Sequence, residues 1–125
     1  MVLVDTSIWV NHFRNGNNTL VNLLNSDLVL CHPLILLEIA CGSPPSPREK
    51  TLEYIGNLQI VKTATTAEVM HLIETHHLYE SGCGAVDITL LASTLINEVA
   101  TIWTQDKKLE ALAKKFNVCF DPKSI

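Results

Sequence analysis

The chain reads as an α/β protein, a three-layer α/β/α sandwich around a central, mainly parallel sheet. Three observations lead there. Short apolar runs of strand length recur at Val2–Val4, Leu28–Cys31, Leu58–Val61, Ala100–Trp103 and Val118–Phe120. Stretches with apolar residues at helical spacing alternate with them, the order that joins parallel strands by helical crossovers. Leu28–Cys31 is apolar at every position, as a strand covered on both faces must be.

Composition sets the frame. At 125 residues, 47% of them hydrophobic and 18% charged, the chain is expected to be one globular domain over residues 1–125. No run is long enough to span a bilayer, and Met1 leads straight into the first strand, so a cytoplasmic protein is expected. Cys31, Cys41, Cys83 and Cys119 are scattered without a Cys-x-x-Cys pair, which argues for buried thiols over a disulfide framework or a zinc site. The net charge of −4 lacks the basic footprint of most nucleic-acid binders.

In order along the chain, Val2–Val4 is the first strand, and Asp5-Thr6-Ser7 opens a helix carrying Ile8, Trp9, Val10 and Phe13. Asn15–Asn18 turns, and Thr19–Asn25 makes a short helix with Leu20, Leu23 and Leu24 inward. After the second strand, Pro33 suits the first turn of an almost wholly apolar helix, Leu34–Cys41, stopped by Gly42. Ser46, Pro47 and Glu49 have the spacing of a capping box for the next helix. The third strand leads to Thr65–Glu68, which caps a helix reaching about His77. Ser81–Gly84 is a loop before the apolar helix Val86–Ile96. The fourth strand meets Thr104-Gln105-Asp106, the helix Lys107–Phe116 follows, and Val118–Phe120 is expected as a fifth strand.

Four of the thirteen acids do not suit their surroundings. Asp5 ends the first strand, Glu38 interrupts an apolar helix with little polar surface to receive it, Asp87 heads another, and Asp106 follows the fourth strand. A carboxylate in apolar surroundings costs several kcal/mol unless it is compensated. No lysine or arginine stands beside Glu38 or Asp87 in sequence. The simple alternatives are helix capping for Asp5, Asp87 and Asp106, and a distant salt bridge for Glu38. Asp5 and Asp106 both follow strands, whose C-terminal ends share one edge of a parallel sheet, where ligands of open α/β sheets bind. Acids gathered there call for a divalent cation, and oxygen-only ligands suit Mg²⁺ or Mn²⁺.

The stretches Val4–Trp9, Leu37–Gly42, Gly84–Ser93 and Ile102–Leu109, in this order and spacing, resemble a PIN domain, the fold of the toxin in VapBC-type toxin–antitoxin pairs. The likeness runs from Met1 to about Val118. It implies that Asp5, Glu38, Asp87 and Asp106 form a metal site for Mg²⁺ or Mn²⁺, supported by Thr104. It implies an endoribonuclease toxin that cuts structured RNA with metal-activated water, leaving 5′-phosphate and 3′-hydroxyl ends. Asp5 and Asp87 are expected to ligate directly, and Glu38 and Asp106 to act through water or orient the nucleophile. Lys107, Lys108 and Arg14 are candidates for the RNA backbone, with solvated helix charges as their alternative. Lys107 and Lys108 also stand where some relatives carry a further acid, so four acids are expected and not five. The four acids account for a charge of −4, which two divalent cations would offset locally. The likeness also implies a homodimer and a small antitoxin that lays an apolar segment in a groove and blocks the acidic site. Helix faces with Leu52, Tyr54, Ile55, Val69, Leu72 and Ile73 are expected to supply the apolar surface.

Other classes fit less well. A phospho-acceptor receiver needs an acid after its middle strand, where Lys62-Thr63 stands, and a haloacid-dehalogenase-like phosphatase needs an acid where Ser7 stands. A dinucleotide fold needs glycines after the first strand. A catalytically silent PIN-like module that only binds partners is the remaining alternative. His32, next to a strand end, is expected in a turn or core role ahead of a place in the site.

Overall fold

Strand β1 (Val2–Val4) lies between β2 (Val29–Cys31) and β4 (Thr101–Trp103), and β3 (Gln59–Ile60) extends the sheet beyond β2. The structure is a computed structural model and describes residues 1–123; the last two positions of the expected 1–125 domain lie outside them. All pairings are parallel, with Leu3 opposite Leu30 on one side and Ile102 on the other. The chain leaves β1 toward β2 and later returns to β4 on β1's other flank. The C-terminal ends of β1 and β4 therefore form a switch point, where connections part and a crevice opens.

Seven α-helices among the described residues connect and cover the strands: α1 (Thr6–Asn15), α2 (Asn18–Asn25), α3 (Pro33–Cys41), α4 (Arg48–Gly56), α5 (Thr66–His76), α6 (Ala85–Leu95) and α7 (Lys107–Lys115). Helix α3 packs on α1 and α4, and α6 packs on α5 and α7. The sheet is sandwiched as expected. Leu3, Ile8, Trp9, Ile35, Leu91 and Ile102 are essentially inaccessible and tie the layers together. Among the described residues no helix is long and apolar enough to cross a membrane.

Local chemistry explains most boundaries. Asn17 caps α2 by accepting from Leu20 N–H at 3.0 Å. Thr65 and Glu68 close a reciprocal capping box at α5. Three expectations are corrected. Ser46 does not cap α4: extended Pro47 holds the cap position without a side-chain bond, and Arg48 instead reaches back to the carbonyls of Ala40 and Gly42 at the end of α3. The fifth strand shrinks to a single bridge between Cys119 and Ile102, because the chain crosses the outer flank of β4 and then leaves it. Ile55 and Val69 belong to the core instead of an outer apolar face, whereas Tyr54 is exposed.

His32 has the core role expected of it. Its Nδ1 accepts from Leu34 N–H at 3.0 Å and caps α3, so the proton sits on Nε2, which faces Ser93 Oγ on α6 at 3.3 Å. Burial lowers its pKa from the ordinary 6.5. Below pH 6.5 the unfolded chain therefore takes up the proton first, and stability is lost as pH falls toward the depressed folded value. Thermal melts between pH 7.5 and 5.5 should show this loss, at most about 1.4 kcal/mol per pH unit. His32→Asn, which keeps a capping acceptor, should flatten the dependence, and an unchanged slope would remove His32 as its source.

Candidate acidic site at the switch point

Asp5 holds the N-cap position of α1 yet makes no capping hydrogen bond. Its Oδ2 is drawn the other way, accepting from Thr104 Oγ1 at 2.8 Å and Ser7 Oγ at 2.9 Å. Those hydroxyls are themselves held: Ser7 Oγ accepts from Gln105 N–H at 3.0 Å, and Thr104 Oγ1 accepts from Asp106 N–H at 3.0 Å. Asp5 N–H in turn bonds the Trp103 carbonyl. The end of β1 is thus laced to the end of β4, and the buried Asp5 carboxylate keeps Oδ1 free of any hydrogen bond from the described residues.

The other acids are placed differently. Asp106 is a true cap: its Oδ1 accepts from Lys108 N–H and Leu109 N–H at the start of α7, which leaves Oδ2 for other use. Glu38 is exposed, which corrects the expectation that α3 has little polar surface to offer it. Ile35 and Ile39 define the buried stripe of α3, and Glu38 emerges on its flank next to α1, where Thr6 Oγ1 donates to Oε1 at 2.7 Å. Asp87, in the first turn of α6, is half-buried and accepts no hydrogen bond from the described residues. Its pKa is raised, first by burial and then by the negative charges of Asp106, Asp5 and Glu38. All four acids therefore share one electrostatic neighbourhood.

Among the described residues, no group of three or more His, Cys, Asp and Glu side chains is gathered tightly enough to hold a metal ion by itself. The donor set still suits a hard divalent cation, being all oxygen, with one Asp5 oxygen anchored and the Asp87 carboxylate unpaired.

Among the described residues none of the candidate bases forms an ion pair with the four acids. Lys107 and Lys108 are exposed at the start of α7, and the Lys108 side chain lies over Gly82. Gly82 has φ +81°, a left-handed backbone that favours glycine, and a Cβ there would stand 2.9 Å from Lys108 Cδ, a contact the flexible lysine can relieve by moving. Arg14 is exposed and shares a cleft with Glu38. The hydroxyls of Thr6 and Ser7 join the site beyond the residues expected from the sequence. The available signal was two hydroxyl residues directly after a strand-ending acid.

A sheet switch point bearing four carboxylates defines an α/β domain with an acidic edge. The chain belongs to the PIN-domain family, within it to the VapC type; the family profile, "PIN domain", matches residues 2–115. It is 40% identical over 118 residues to ribonuclease VapC32 of two Mycobacterium tuberculosis strains, CDC 1551 / Oshkosh and ATCC 25618 / H37Rv, a match covering 94% of each chain. The crystal structure of PAE2754 from Pyrobaculum aerophilum superposes with a TM-score of 0.68 at 16% identity, over 98% of this chain and 90% of that one, a likeness of fold.

Because Asp87 is charged against burial and three like neighbours, its ionisation costs stability at neutral pH, a cost absent once pH falls below the unfolded value of 3.8. Asp87→Asn should therefore raise the melting temperature in chelator at pH 7.5 by a few degrees. An unchanged or lower melting temperature would mean that the carboxylate is already compensated.

Proposed function

We propose that this chain is a divalent-metal-dependent endoribonuclease, the toxin of a toxin–antitoxin pair, cutting structured RNA in the cytoplasm. The carrying observation is the Asp5 carboxylate, which occupies a helix-cap position and is turned away from capping. The 40% identity to ribonuclease VapC32 supports the same reading.

Asp5 and Asp87 would hold Mg²⁺ or Mn²⁺, which when bound lowers the pKa of water and steadies charge on phosphate oxygens. Thr104 and Ser7 orient Asp5 from behind, through Oδ2. Glu38, with Oε1 held by Thr6, has Oε2 available to accept the proton of the attacking water. Asp106 is fixed by its cap and presents Oδ2 to solvent water on the same edge. As water oxygen bonds to phosphorus in line, the bond to the 3′-oxygen breaks and that oxygen takes a proton, leaving 5′-phosphate and 3′-hydroxyl ends. Lys107 and Lys108 meet the flanking phosphates.

The chain would pair as a homodimer and be silenced by a small antitoxin. Exposed Leu37 and Tyr54 supply apolar surface for such contacts. Sedimentation at micromolar concentration tests the pairing, and a monomer alone and with partner would remove it.

The deciding experiment is Asp5→Asn. Asn caps about as well as Asp, so a capping role predicts near-parent behaviour. The proposed role predicts a folded protein whose RNA cleavage in Mn²⁺ falls by about 10²-fold or more. Cleavage at the parent rate would remove Asp5 from the mechanism.

A further inference from the structure

Beside the acidic edge, between the last turn of α1 and the C-terminal end of α3, the surface opens into a cleft of about 360 Å³. That is the scale of a small-molecule pocket, for which about 300 Å³ is the lower end. Its walls include Val10, Phe13, Ile39 and Pro44. Two polar side chains line it without any hydrogen bond among the described residues, the Arg14 guanidinium and the Ser43 hydroxyl. Glu38 lines the cleft and also adds to the negative charge at Asp87, so the cleft adjoins the acidic edge.

A phosphate does not suit this place. Apolar walls offer it nothing, and the Glu38 carboxylate repels it. A nucleobase suits it well, since its faces are apolar and its edge needs partners. Arg14 brings a planar fork of donors and no acceptor, which matches two neighbouring acceptors on one edge. Guanine presents that pair, O6 and N7.

We propose that the cleft seats the base of the nucleotide next to the cut, and that Arg14 selects guanine there through O6 and N7. This rests on the ribonuclease reading and deepens it, because it turns Arg14 from a backbone contact into a residue that chooses the sequence. Base contact and backbone contact separate cleanly by experiment. Losing a base contact relaxes preference at one position, whereas losing a phosphate contact weakens all sequences alike and reduces the salt dependence.

The test uses the full chain in Mn²⁺ on an RNA hairpin with a randomised loop, sequencing the cut ends. Parent protein, Arg14→Gln, Arg14→Lys and Lys107→Gln are compared, with Asp5→Asn as the control for contaminating nuclease. The expected result is guanine enrichment at one fixed position beside the cut, reduced about tenfold or more by Arg14→Gln with other positions unchanged. Arg14→Lys should not restore it, since an ammonium cannot form the fork, and Lys107→Gln should slow all sequences uniformly. Because Arg14 is exposed, thermal melts of Arg14→Gln should match the parent. A parent without guanine preference overturns the proposal, as does Arg14→Gln that keeps the pattern while all rates fall. A pattern kept alongside lost binding of a partner protein would also overturn it and assign the cleft to that partner. A parent protein that cuts no RNA in Mn²⁺ would instead remove the ribonuclease reading itself.

Discussion

The hold of Thr104 and Ser7 on one oxygen of Asp5 is the constraint on which the acidic edge depends. Two hydroxyls, one from each side of the switch point, satisfy Oδ2 inside the protein. A buried carboxylate without such partners would be driven toward protonation or toward the free amides of α1. With them it stays at the C-terminal end of β1, turned away from its own helix. The two hydroxyls are pinned in turn by the amides of Gln105 and Asp106, so the position of Asp5 is transmitted to the start of α7. Asp106 then caps that helix, and its orientation follows from the same loop.

The rest of the site follows from how the sheet is wound. Parallel β1 and β4 end at one edge, α1 and α7 begin there, and α6 brings the first-turn Asp87 beside them. Glu38 arrives from α3 because α3 packs on α1, and Thr6 is the point of contact. Different elements thus each contribute one acid, and the burial of their apolar faces offsets the repulsion among the acids. Asp87 carries the clearest mark of that tension, since neither a hydrogen bond nor a base among the described residues relieves it. Such a group gains most from a cation.

Much of this was legible in the sequence, and the exceptions have physical causes. The strands at Val2–Val4 and Val29–Cys31 announced themselves as apolar runs between turn residues, and the alternation with helices implied the parallel sheet. The family likeness read from the four acidic stretches agrees with the family profile, which matches the chain over residues 2–115. What sequence could not decide was which way Asp5 turns. The answer depends on Thr104, 99 residues away, a contact of which local spacing contains no trace and to which only the family likeness points. The exposure of Glu38 was missed for a related reason: the apolar composition of α3 does not say which stripe faces inward, and only Ile35 and Ile39 do. Cys119 reaches β4 for a single bridge because an edge position gives a short strand no second neighbour.

The central claim is that Asp5 is anchored through Oδ2 so that Oδ1 can serve the acidic edge together with Asp87. Anomalous diffraction from crystals grown with Mn²⁺ reads this directly. The account predicts one strong manganese peak in contact with Asp5 Oδ1 and the Asp87 carboxylate, with Thr104 still bonded to Oδ2 and Asp106 still capping α7. Manganese bound elsewhere, or Asp5 swung round to cap α1 with no metal at the edge, would contradict it.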